Sequence, residues 1–268
     1  MELSIVICVK DDQDAFAATL KSLRPLPCGF YEVIVSDSSK DAEQSKKAIN
    51  QAALKAQITY LWNKPRGIYP AINAAIPNAK GQWILILHSA DLLLPHFIDQ
   101  MVDTLRSCPE DILIYQVVYM RDGEYIYTEK SSVDSMLWPH QATFVRKSVY
   151  DEAGLYDERY RFAADQFFFH TVRDRYRCRA EDPILVAFDV SGVSASLNFR
   201  VLKEASLLHR LYGRNLFQRF LFIYLRALVR RGIEFFISPR LYDTYWRWRH
   251  DPVPDYLKNQ SGENRPIE

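Results

Sequence analysis

Three carboxylates stand where the chain changes character. Asp37 ends the run Val33-Ile34-Val35-Ser36-Asp37 and opens Ser38-Ser39-Lys40-Asp41. An acid just past a strand, in a serine-rich turn, can accept hydrogen bonds from a nucleotide base or ribose. The same spacing also makes an Asx-turn or a helix cap. Asp91 closes Trp83-Ile84-Leu85-Ile86-Leu87-His88-Ser89-Ala90-Asp91, ahead of Leu94-Pro95. That is a buried strand breaking into a crevice at the edge of an α/β sheet, where such folds bind ligands. Asp91 is the only acid of its loop. With His88 and Ser89 it could serve a divalent cation carried with nucleotide phosphates, or it could bond nearby amides and only shape the loop. Asp165 lies among aromatic residues in Arg161-Phe162-Ala163-Ala164-Asp165-Gln166-Phe167-Phe168-Phe169. Burial against apolar groups raises a carboxylate's pKa, which suits a general base near neutral pH. The alternative is an N-cap for the following helix. Finally, Trp138-Pro139-His140-Gln141 puts two polar side chains before a strand, either lining a sugar pocket or serving structure.

Elements that would position these residues follow from periodicity. Apolar runs at 3–9, 32–36, 58–61 and 83–87 predict strands. Helical patterns follow at 16–23 (with candidate N-caps among residues 11–14), 41–56, 69–77 and 96–105. This β-α alternation over the first 110 residues predicts a parallel sheet with helices on both faces. Beyond it, 112–119 and 125–128 flank Arg121-Asp122-Gly123, a hairpin signal. Further strands are expected at 142–145 and 184–188, giving a mixed second half. A helical region then runs from Phe199 to about Ile237, and the polar tail after Asp251 reads as loose.

The 268 residues suit one large domain or two small ones. With 48% hydrophobic and 25% charged residues the chain can build a core, and a net charge of +1 makes no general case for nucleic-acid binding. Cys8, Cys28, Cys108 and Cys178 form no CxxC pair, which predicts a reduced cytoplasmic protein without a zinc site. No signal peptide is evident, and no apolar run approaches the ~18–20 residues of a membrane span. The charge is nonetheless uneven. Between Arg200 and His250 eleven Lys/Arg face three acids. Arg219, Arg226 and Arg230 share one helical face opposite Phe217, Leu221, Tyr224, Leu228 and Phe235. Such a helix either lies on an anionic membrane surface or packs on the domain with a solvated basic face.

Taken together, residues 3–210 resemble the family 2 glycosyltransferases, inverting enzymes of the GT-A fold. Leu3-Ser4-Ile5-Val6-Ile7 is similar to that family's first strand. Asp37-Ser38-Ser39-Lys40-Asp41 resembles its acid-glycine-serine turn, whose Asp contacts the nucleotide base. Arg66-Gly67-Ile68-Tyr69-Pro70-Ala71-Ile72-Asn73 resembles the segment before the metal-binding strand, and 81–95 that strand and its loop. His140-Gln141-Ala142-Thr143-Phe144, Gly154-Leu155-Tyr156-Asp157 and Ala164-Asp165 resemble the acceptor-side half, whose Asp is the catalytic base. Ser191-Gly192-Val193-Ser194 resembles the glycine-serine turn beyond it.

The resemblance implies an α/β fold: a GT-A-like domain over 1–198, with a Rossmann-like, mostly parallel nucleotide-binding half (1–110) and a mixed-sheet acceptor half (111–198). A basic helical extension (199–250) and a flexible tail (251–268) complete the chain. It implies transfer of a sugar from a nucleotide-diphosphate donor, a UDP-sugar by resemblance, with inversion and Asp165 as base. The acceptor is a hydroxyl, with a lipid-linked saccharide of cell-surface polysaccharide synthesis as one expectation. The enzyme would sit in the cytoplasm, with a peripheral site at the inner membrane face in view, and bind no nucleic acid. The donor set is Asp37, Arg66, Asn73, His88 and Asp91; the acceptor or sugar pocket is His140 and Gln141. Two departures stand out. The family's loop carries two acids, whereas here Ala90 occupies the position of the principal metal ligand. A Mn or Mg ion would therefore rest on Asp91 alone, or Arg66, Lys64 or His88 would neutralise the diphosphate instead. Pro70 also stands where related chains carry an acid. Rival readings are a nucleotide-binding module of weakened catalysis, a dehydrogenase (no GxGxxG follows the first strand) and a nucleotidyltransferase, which would want a Gly-rich basic loop where Lys10-Asp11-Asp12-Gln13 stands.

Overall fold

The computed structural model describes residues 1–190, 199–219, 223, 225, 247 and 250–258. Strands β1 (Leu3–Val9), β2 (Tyr31–Asp37) and β4 (Trp83–His88) are buried along almost their whole length, as parallel strands covered on both faces must be. β3 (Gln57–Trp62) is the half-exposed edge. These four run parallel in the order β3-β2-β1-β4. The order reverses between β1 and β4, which makes their carboxyl ends the switch point where open α/β sheets take ligands. Register aligns Val9 with Asp37 and Cys8 with His88, so the acids of β2 and β4 reach the same edge.

The sheet then becomes mixed. β8 (Thr143–Arg146) pairs antiparallel with β4 and with β6 (Ile112–Arg121), and β6 pairs parallel with β9 (Cys178–Asp189). The short β5 (Leu92–Leu93) closes against β9, and β7 (Glu124–Glu129) pairs with β6. The β6–β7 connection is the two-residue turn Asp122-Gly123, with φ of 51° and 77°. Both central residues are left-handed, as a type I′ hairpin turn requires.

Alternate residues of the central strands feed two apolar layers. Ile5, Ile7, Val33, Leu85 and Leu87 pack with Phe16 and Leu20 of α1 (Gln13–Ser22) and Met101 and Leu105 of α4 (Ile98–Ser107); α2 (Ala42–Ala52) joins them through Ala48. Val6, Ile34, Ile84 and Ile86 face α3 (Ile68–Ala75), α5 (Lys147–Ala153) and α6 (Ala164–Val172). The second layer carries the acceptor-side residues.

Several expectations need adjustment. The N-cap position of α1 is Asp12, but its side chain makes no capping bond. Its neighbour Asp11 instead accepts from the Lys40 amide (2.8 Å), tying the β1 and β2 loops together. Helix α2 stops at Ala52, because Ala53 turns left-handed (φ 50°). β9 begins at Cys178, six residues before the expected start; its first half is only partly buried and so lacks an apolar run. The tail is not loose over 251–258. Thr128 bridges Asp251, and Val253 and Leu257 bury against Leu92, Val118 and Tyr125. Helix α7 (Phe199–Leu211) starts where expected. The turn at 191–194 and the side chains of Arg219, Arg226 and Arg230 lie outside the described residues. Among the described residues no helix is long and apolar enough to cross a membrane.

Candidate active site

Asp37 ends β2 fully buried. Its Oδ1 accepts from the Ser39 amide (2.7 Å) and its Oδ2 from the Tyr60 hydroxyl (2.7 Å). The Asx-turn is therefore formed, and a tyrosine from β3 holds the second oxygen. Tyr60 and Trp62 share a face of β3. Trp62 donates its indole N–H to the Ser39 carbonyl (3.2 Å) yet stays 56% exposed, presenting a ring beside the Asp37 turn. Arg66 and Lys64 are exposed in the loop between β3 and α3. Asn73 on α3 is occupied elsewhere. Its Nδ2 donates to the Tyr156 carbonyl (2.8 Å) and Glu158 (3.1 Å), and its Oδ1 accepts from the Tyr156 amide (3.0 Å). It pins the loop after α5 rather than facing open space.

The end of β4 folds back on itself. The Asp91 amide donates to the His88 carbonyl (3.2 Å), and Asp91 Oδ2 accepts from the His88 amide (2.8 Å). Ala90 takes φ 79°, the third-residue value of a type II turn that normally selects glycine. Asp91 is 2% exposed, and burial pushes its carboxyl up to about 8, against the smaller lowering of amides from His88 and Asp189. The loop-shaping role is thus realised. His88 is half-buried; burial, with His140 nearby, pushes its imidazole down to about 3, and its Nδ1 is enclosed without a hydrogen-bond partner.

Divalent cations that travel with nucleotide phosphates want ionised oxygen ligands. Ala90 supplies none. Asp91 is enclosed, turned to its own backbone and held toward its neutral form. Among the described residues no group of three or more His, Cys, Asp or Glu is placed to hold a metal. The residues present do not fit the expected ion.

The acceptor side is built differently. Asp165 lies one residue inside the start of α6 and is 8% exposed. It is not the cap. Helix α6 has no side-chain cap; Glu204 of α7 instead holds the segment leading into it, accepting from the amides of Arg161 (2.9 Å), Phe162 (2.8 Å) and Ala163 (3.0 Å). Asp165 Oδ1 accepts from the Tyr69 hydroxyl of α3 (2.7 Å), and Oδ2 from Gln166 Nε2 (2.8 Å). Gln166 is itself locked to both backbone groups of Trp138 (3.1 and 2.9 Å). Burial raises the Asp165 pKa, while the bonds from Tyr69 and Gln166 work against that rise. His140 is buried in the 3₁₀ turn before β8, with Nδ1 3.9 Å from Asp165 Oδ2 and its ring 5.9 Å from that of His88. Gln141, beside it, is half-buried.

The structure therefore gathers His88, His140 and Asp165 into one cluster, and places Asp37 and Asp91 in separate turns at the sheet edge. Sequence reasoning missed Tyr69, Gln166, Tyr60, Trp62 and Glu204. Tyr69 and Asp165 are 96 positions apart, and no local pattern announces such a pair.

A switch-point crevice beside a buried, side-chain-supported carboxylate on a mixed α/β sheet defines a GT-A-type glycosyltransferase fold. The description Glycosyl transferase family 2 matches residues 4–176, and the chain belongs to that family. A "PGL/p-HBAD biosynthesis glycosyltransferase" of Mycobacterium bovis (strain BCG / Pasteur 1173P2) is 28% identical over 208 residues, covering 73% of this chain and 76% of that protein. An uncharacterized glycosyltransferase of Mycobacterium tuberculosis is 27% identical over 254 residues, covering 87% and 92%. Among solved structures, S. aureus TarS 1-349 in complex with UDP-GlcNAc superposes with a TM-score of 0.65 at 16% identity, covering 79% of this chain and 66% of that one. The mannosyltransferase PcManGT from Pyrobaculum calidifontis, in complex with GDP-Man and Mn2+, gives 0.55 at 12% identity, covering 98% and 79%. At these identities the structural likeness speaks for the fold.

Proposed function

We propose that this chain transfers a sugar from a nucleotide-diphosphate donor, a UDP-sugar in this reading, to an acceptor hydroxyl with inversion at the anomeric carbon. The observation that carries it is Asp165: an enclosed carboxylate with raised pKa, held by side chains from distant elements. Asp165 takes the acceptor's proton as the acceptor oxygen bonds to the anomeric carbon. The carbon–oxygen bond to the diphosphate breaks, and the diphosphate departs with the electron pair. Such base assistance contributes about 10²–10⁴-fold in rate.

On the donor side, the Asp37–Tyr60 turn and the exposed Trp62 ring receive the base. Arg66, with Lys64 nearby, meets the diphosphate at the rim, and His88 and Asp91 form the floor of the crevice. His140 and Gln141 line the sugar or acceptor pocket, while Asn73 fixes the loop around Tyr156. With no carboxylate set for a cation among the described residues, leaving-group charge falls to these basic groups and to oriented amides. The acceptor is a saccharide or lipid-linked glycoconjugate. The basic 199–250 segment supports a lipid-linked acceptor and peripheral contact with anionic membrane at the cytoplasmic face.

UDP-sugars and GDP-sugars should be compared for binding and turnover, with EDTA and with Mn or Mg. The reading expects UDP-sugar turnover that survives EDTA. Donor binding without any turnover would instead favour a nucleotide-binding module of weakened catalysis, the alternative that Ala90 and the inward-turned Asp91 support.

A further inference from the structure

Behind Asp165 runs a buried polar chain with no assigned role. Tyr150 Oη lies 2.7 Å from Tyr156 Oη, which lies 3.0 Å from His140 Nε2. His140 Nδ1 then faces Asp165 Oδ2 at 3.9 Å. All of these residues are buried.

The direction of the chain follows from counting protons. Burial pushes the His140 imidazole down to about 3, so near neutral pH the ring carries one proton on one of its two nitrogens. Among the described residues, the Tyr150 hydroxyl has Tyr156 as its one hydrogen-bond neighbour. If His140 donated from Nε2, Tyr156 would donate to Tyr150, and the Tyr150 proton would be left buried without an acceptor. That costs about 1–3 kcal/mol. It would also point the Nδ1 lone pair at a carboxylate oxygen. In the other direction Tyr150 donates to Tyr156, Tyr156 donates to Nε2, and the ring proton sits on Nδ1 facing Asp165. Both hydroxyl protons are then hydrogen-bonded, and the Nδ1 proton lies toward the Asp165 carboxylate at 3.9 Å, a favourable electrostatic contact longer than a hydrogen bond.

We propose that Tyr150 and Tyr156 are positioning residues that fix His140 as the Nδ1–H tautomer aimed at Asp165, and that this keeps the base ionised in its enclosed site. The proposal rests on Asp165 acting as the base. The other groups facing this cluster are Tyr69 of α3, His88 of β4 and Gln166 of α6, with the Glu204 carboxylate of α7 behind the start of α6. None of them contacts His140 Nε2, so the Tyr156 bond can be removed without disturbing their bonds to Asp165.

The test has two arms on the full chain. Nitrogen-15 NMR of histidine-labelled wild-type protein near neutral pH should show His140 protonated at Nδ1, and Tyr156→Phe should shift it toward Nε2–H. In transfer assays, Tyr156→Phe should move the acid limb of the kcat profile upward by about one pH unit, which lowers kcat by up to about tenfold along that limb. Near pH 9 it should return to within about twofold, with KM unchanged throughout. Tyr150→Phe should move the limb the same way by less, and it stands in if Tyr156→Phe does not fold. Finding His140 protonated at Nε2 in the wild type, or profiles of both variants that superimpose on the wild type, overturns the proposal. A wild-type chain that transfers no sugar overturns the base reading instead, and the tautomer measurement still decides the direction of the chain.

Discussion

Asp91 and Asp165 are both nearly enclosed carboxylates whose pKa burial raises, yet they are held in opposite ways. Asp91 accepts from backbone amides, that of His88 in its own turn and that of Asp189 at the end of β9. Asp165 is held by side chains that arrive from α3 and from the helix start locked to Trp138, with His140 behind it. A carboxylate satisfied by backbone amides is shaping a loop. One supported by side chains from remote elements has had its position and proton affinity set by the whole fold, as a working acid or base needs. The contrast separates two parts of the crevice: a donor-side loop acid, Asp91, that has become scaffold, and an acceptor-side acid that is poised.

Substitution of each acid should separate them most clearly. Asp165→Asn should lower transfer by about 10²–10⁴-fold while leaving UDP binding within about threefold by calorimetry. Asp91→Asn should lower transfer by no more than about tenfold, because it removes no transition-state contact. Equal losses would erase the distinction. Next in size, Tyr69→Phe removes a hydrogen bond that favours the ionised Asp165, so its pKa rises further. Transfer should fall by up to about tenfold along the acid limb and recover at higher pH, read from a pH–rate series.

Asp91 should show itself in stability instead. Its folded pKa, about 8, lies above its unfolded value. The folded state therefore binds an extra proton between the two values, so stability declines as pH rises from about 4 to about 8 and levels off above. Thermal melts should show wild-type Tm falling between about pH 5 and pH 8 relative to Asp91→Asn, whose curve lacks this slope. A smaller effect is expected at the base turn: Trp62→Ala should weaken UDP binding by about three- to tenfold, the loss of one stacking contact. An unchanged affinity would remove Trp62 from the donor site.

Much of the fold was legible because two-sided burial writes continuous apolar runs into β1, β2 and β4. The Asp122-Gly123 turn was legible because its backbone demands particular residues. The first half of β9 was not, since a partly exposed strand carries no such run. Nor was the docking of 251–258, which depends on a pocket formed by Leu92, Val118 and Tyr125 from three other strands. Within the site, each acid was visible through its abrupt local context. Its partners Tyr69 and Glu204 were not, because they meet α6 only through the folded sheet and helices.

The contrast between the two acids comes to its sharpest point in one experiment: a proton-NMR time course of the anomeric signal with wild-type, Asp165→Asn and Asp91→Asn proteins, in EDTA. The account predicts that wild type and Asp91→Asn release nucleotide and form product of inverted configuration, while Asp165→Asn binds donor and forms none. Full turnover by Asp165→Asn, or wild-type turnover that appears only when Mn or Mg is restored, contradicts it.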